Sequence, residues 1–278
     1  MASDTASTST KRPRQQTLMD SFQEYRAELD EHHDRRERII KQSRDITAMS
    51  KKAIFAAHRI TNTDRKTVVR EVENKLKDLR AMFARLQPDV AGENFWRRAR
   101  NHMNGAFHLA YKNMLLEAII FYQYLTHNKI MSLQEAQVSL QEVTSTTGET
   151  ESMTLSEPVR ITVSDYLGGI ADVTGEMMRL AIGSVGKSLL ASTSGDSEAA
   201  DFSIEGIGRT VRDIKGEMEP LVPMQYWLDK KMSVMDASLS KIEIASYNLR
   251  IRGAEYAGSP AMLAAIAGRE VGGGDRPE

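Results

Sequence analysis

An apolar stripe that recurs with a helical period over about forty residues near the start of this chain constrains its fold more than any other feature. Phe22, Tyr25 and Leu29 begin the stripe, and Ile39, Ile46, Ile54 and Phe55 carry it to about Ile60. Thr17 and Asp20 stand at the spacing of a capping box, which predicts a helix start at Thr17. The centre of the stripe, Asp30 to Arg38, is unusually charged. A helix of this length needs bundle or coiled-coil packing.

Further helices follow from the same reasoning. Val68, Val72, Leu76, Leu79, Phe83 and Leu86 recur at steps of four and three, and Pro88 is predicted to stop that helix. A third helix runs from about Glu93 to Thr126. Ser132 and Glu135 make a capping box for a short fourth, and the polar stretch 143–158 is a linker. The fifth opens near Thr162, with Asp165 at capping-box spacing, and reaches about Leu190. A sixth spans roughly residues 197–218, ended by Pro220 and Pro223. The seventh, Gln225 to Tyr256, carries a heptad-like seam for a partner helix: Leu228, Met232, Met235, Leu239, Ile242, Ser246 and Leu249.

No window alternates with period two, so no sheet is expected. The reading is all-α: a single bundle of about seven helices over 17–258, between disordered termini at 1–16 and 259–278. Composition agrees: aromatics are only 6% while methionine is plentiful, at 15 residues. There is no cysteine, which removes disulfides and thiolate metal sites. Met114 to Leu125, the most apolar stretch, is too short to span a bilayer, and no secretory leader is apparent. Cytoplasm and nucleus are the expected compartments; Lys11, Arg12 and Arg14 read equally as an import signal or as solvated tail charge. A net charge of −1 means that any attraction to phosphate must come from local patches or a partner.

Three acids stand out. Asp172 and Glu176, at i and i+4, share one helix face, where their mutual repulsion would be relieved by a divalent cation. The plainer reading pairs Glu176 with Arg179 and leaves Asp172 solvated. Glu117 lies between Met114-Leu115-Leu116 and Ala118-Ile119-Ile120-Phe121, where a carboxylate is costly unless paired, protonated or metal-bound. A salt bridge to an arginine is its plainer reading. Arg97, Arg98 and Arg100, beside Phe95 and Trp96, suit phosphate contact with base stacking, or else simply the polar face of an amphipathic helix. Phosphate loops, nucleophile elbows and kinase signatures are missing, and the adjacent His32 and His33 point different ways on a helix.

Three ordered stretches resemble the translin family, in its TRAX branch. They are Glu37-Arg-Ile-Ile-Lys-Gln-Ser-Arg-Asp45 continuing through Lys51-Lys-Ala-Ile-Phe55 to His58-Arg-Ile-Thr61; Asp165-Tyr-Leu-Gly-Gly-Ile-Ala-Asp172-Val-Thr-Gly-Glu176-Met-Met-Arg179; and Lys241-Ile-Glu-Ile-Ala-Ser-Tyr-Asn-Leu-Arg-Ile-Arg-Gly-Ala-Glu255. The resemblance implies a helical subunit that joins translin in a hetero-octamer and binds single-stranded RNA and DNA. It also implies a Mg²⁺-dependent endoribonuclease that processes small-RNA passenger strands or tRNA fragments. Glu117, Asp172 and Glu176 match the family's acids and become the expected metal ligands and catalytic residues. Met114 stands where the family has one further glutamate, and a thioether does not replace a hard oxygen ligand. The alternative is a non-catalytic nucleic-acid-binding partner of translin.

Overall fold

The computed structural model describes residues 18–90, 105–141, 161–194 and 203–255. Seven α-helices and no strand occur among the described residues. They are α1 (Leu18–His58), α2 (Arg65–Val90), α3 (Gly105–His127), α4 (Leu133–Gln141), α5 (Val163–Ser194), α6 (Ile204–Met218) and α7 (Tyr226–Glu255). The tails and linker read from the sequence, and the start of the third helix, lie outside these residues.

The bundle is assembled around α3. Leu115, Leu116, Ala118, Ile119, Ile120, Phe121, Tyr124 and Leu125 are all buried, so this helix is apolar on nearly every side. It packs between α1 and α5; α5 in turn carries α6 and α7 on its far side, and α2 lies along α1. Helix α1 buries only its second half, from Ile39 to Ala57, while Phe22, Tyr25 and Leu29 remain exposed.

The α2 stripe is buried along its whole length, but Pro88 does not end the helix. A proline forfeits one backbone hydrogen bond. Here that loss falls in the last turn, where Val90 still enters the core and the Asp89 carboxylate accepts from Arg38 at 3.0 Å. Both internal capping boxes close: the backbone N–H of Ser132 donates to Glu135 at 2.6 Å, and that of Thr162 to Asp165 at 3.0 Å.

Three expectations change. Helix α5 extends to Ser194, beyond Leu190. Helix α6 begins at Ile204, later than 197, because extended Ser203 caps it by accepting from the N–H of Gly206. The α7 seam is also taken up within the chain: Leu228, Met232, Met235, Leu239 and Ile242 are buried against α5 and α6. No described helix is long and apolar enough to cross a membrane.

Candidate acidic centre

Two glycines determine how the centre is built. Where α5 crosses α3, a Cβ on Gly169 would lie 2.8 Å from the Leu116 Cβ, and one on Gly168 would lie 2.8 Å from the Asn113 amide nitrogen. Only residues without a Cβ permit so close an approach. The crossing brings α3 at Glu117 against α5, with Asp172 one turn beyond Gly168 and Glu176 one turn further.

Glu117 is buried at 6% exposure, and no hydrogen bond or ion pair to its carboxyl occurs among the described residues. The arginine salt bridge considered for it is not formed. Burial, first, and the neighbouring charges of Asp172 and Glu176 push its pKa up to about 8, against the smaller opposing pull of Lys231 and Arg179. The three predicted acids thus share one electrostatic neighbourhood spanning two helices.

The other two acids are already engaged. Glu176, also buried, accepts from His58 Nε2 at 2.6 Å through one oxygen and from Arg179 at 2.6 Å through the other. Burial alone would raise its carboxyl, but the hydrogen bonds and charges of His58 and Arg179 outweigh burial and hold it below the ordinary range. The Glu176–Arg179 pairing anticipated from spacing is therefore present. Asp172 is not merely solvated, because Lys231 of α7 donates to it.

His58 and Lys231 were not singled out from the sequence. His58 is the last residue of α1, and its ring lies 5.0 Å from that of Phe121, which fixes its orientation toward Glu176. Met114, one turn before Glu117, packs its thioether against the core. Among the described residues, no group of three or more His, Asp or Glu side chains is gathered at metal-holding spacing. Arg97, Arg98 and Arg100 lie outside the described residues. His32 and His33 pair with Glu28 and Glu37 on their own helix.

A helical bundle carrying an acidic centre across two packed helices, with basic side chains from two more, is the class of protein that fold and site define. The sequence pattern of the translin family matches residues 34–253, and the chain belongs to that family. Within it the likeness is to translin-associated protein X. The rat protein of that name is 32% identical over 251 residues, spanning 86% of this chain and 80% of the relative. Solved structures share the fold. The apo-NeC3PO crystal structure superposes with a TM-score of 0.55 at 15% identity, covering 87% of this chain and 100% of its own. The AfC3PO–duplex RNA complex gives 0.53 at 18%, covering 84% and 97%.

Proposed function

We propose that this chain is the TRAX-like subunit of a translin-type assembly. In this reading it binds single-stranded RNA and DNA, works in cytoplasm and nucleus, and cuts RNA as a Mg²⁺-dependent endoribonuclease. One observation carries the catalytic part: Glu117, a buried carboxyl with no partner among the described residues, is electrostatically coupled to two further acids of a second helix. Relatives named translin-associated protein X support the translin-type assembly, and the AfC3PO–duplex RNA complex, which shares the fold, supports RNA as a ligand.

The donor chemistry suits magnesium. Carboxylate oxygens are the hard ligands it prefers, and an unpartnered buried carboxyl is a group that a divalent ion would satisfy. Glu117, Asp172 and Glu176 would hold the ion. When bound, it would supply a more acidic water and charge neutralisation at phosphate. The chain's own residues do the rest: His58 and Arg179 hold both oxygens of Glu176, and Lys231 neutralises Asp172.

The non-catalytic reading rests on Met114 and on the ion pairs that already occupy Asp172 and Glu176. Cleavage of single-stranded RNA by the chain co-purified with translin separates the two. Cutting in Mg²⁺, lost in EDTA and abolished by Glu176→Ala, is expected, since losing even an outer-shell partner of a metal ligand costs about 10–100-fold. RNA binding with no cutting in Mg²⁺ defeats the nuclease.

A further inference from the structure

Around the axis of α1 from His58, the same last turns present a different surface. Lys51, Lys52, Phe55, Ala56 and Arg59, with Glu71 and Lys75 of α2, line an open groove of about 490 Å³. Four cations there face one carboxylate. Glu71 engages Arg59 at 2.8 Å and Lys75 at 3.6 Å, while Lys51 and Lys52 are exposed and form no ion pair among the described residues. Between them projects Phe55, 76% exposed, the most exposed phenylalanine among the described residues.

We infer that this groove is a single-stranded RNA subsite: Lys51 and Lys52 hold backbone phosphates, Arg59 and Lys75 extend the positive track, and Phe55 stacks on a base. The inference rests on the nucleic-acid reading above and assigns it to particular residues. Cationic grooves with an aromatic platform are how proteins hold single strands without reading sequence. An exposed ring serves that purpose because every base offers a π-face. Three of the groove's four cations are lysines, which are depleted from protein interfaces.

Position strengthens the case. Arg59 directly follows His58, which holds Glu176, so one end of the groove and one partner of the acidic centre come from adjacent residues of the chain. Carboxylates repel phosphate, and the neighbouring groove supplies attraction beside them.

Fluorescence anisotropy of a labelled single-stranded oligoribonucleotide, titrated with the full chain alone and in complex with translin, tests this in EDTA. Lys51→Ala/Lys52→Ala should weaken binding and flatten the salt dependence by about 1.4 logarithmic units per decade, the expectation for two lost phosphate contacts. Phe55→Ala should cost about tenfold with the salt slope intact, and Phe55→Trp should restore affinity. Parent-like affinity and slope in both variants overturns the subsite, as does a parent that binds no RNA. Unchanged affinity with altered sedimentation assigns the face to a protein partner instead. Binding that depends on the groove without Mg²⁺-dependent cutting leaves the subsite standing and removes only the nuclease.

Discussion

Two buried ionisable groups on α3 meet opposite fates. Lys112 and Glu117 both face α5, little more than one turn apart. Lys112 closes an ion pair with Asp165 at 3.2 Å, with both side chains at most 5% exposed. That same Asp165 accepts from the backbone N–H of Thr162, so its charge is held from two sides. Glu117 has the charges of two more acids beside it and no partner among the described residues. The first arrangement is complete within the chain and serves the fold. The second is electrostatically unfinished, which a protein tolerates where something else completes it.

Breaking the finished pair should have the largest effect. Lys112→Met leaves the Asp165 carboxylate buried without its cation, which should cost about 3–5 kcal/mol of stability by chemical denaturation. A cost below ~1 kcal/mol would erase the contrast between the two sites.

Completing the unfinished one should work in the opposite direction. Because folding raises the Glu117 pKa from 4.5 to about 8, the unfolded chain loses this proton first as pH climbs through that window. Stability therefore falls across the window and levels off above it. Glu117→Gln removes the penalty, so at pH 8 it should be more stable than the parent by roughly 2–4 kcal/mol, converging with it near pH 4.5. Added Mg²⁺ should stabilise the parent at pH 8 and leave the variant unmoved. Parallel stability curves for the two proteins would show that Glu117 carries no buried charge to relieve.

What could be read beforehand follows from periodicity. The α2 stripe, the α7 seam and the two capping boxes are local patterns with a fixed step, and all appear in the structure. Glu117 was conspicuous for a related reason, being the one acid in an otherwise apolar run. The partners of Asp172 and Glu176 have no such step. His58 lies 118 residues from Glu176 and Lys231 lies 59 from Asp172, so packing alone brings them together. Pro88 misled for the opposite reason: it is a local signal whose effect depends on its neighbours. The core position of Val90 outweighs the proline, and a serine cap six residues or so into the predicted sixth helix sets its true start.

The smallest effects sharpen the comparison by separating glycines that hold α3 against α5 from one that does not. Gly169→Ala puts a methyl group into the Leu116 Cβ, and the clash should outweigh the helix-propensity gain of about 1 kcal/mol, for a net loss of roughly 1–2 kcal/mol. Gly175 sits in the same helix beside Glu176, yet a Cβ there meets nothing within 4 Å. Gly175→Ala should therefore stabilise the protein by about 0.5–1 kcal/mol, read as a higher melting temperature. Packing gives that glycine no role, so a stabilised Gly175→Ala that also loses RNA cleavage would locate the reason in what approaches Glu176 from outside the chain. A destabilised one would mean that the helix closes more tightly there than its neighbours show, and that α3 and α5 are spaced by three glycines, not two.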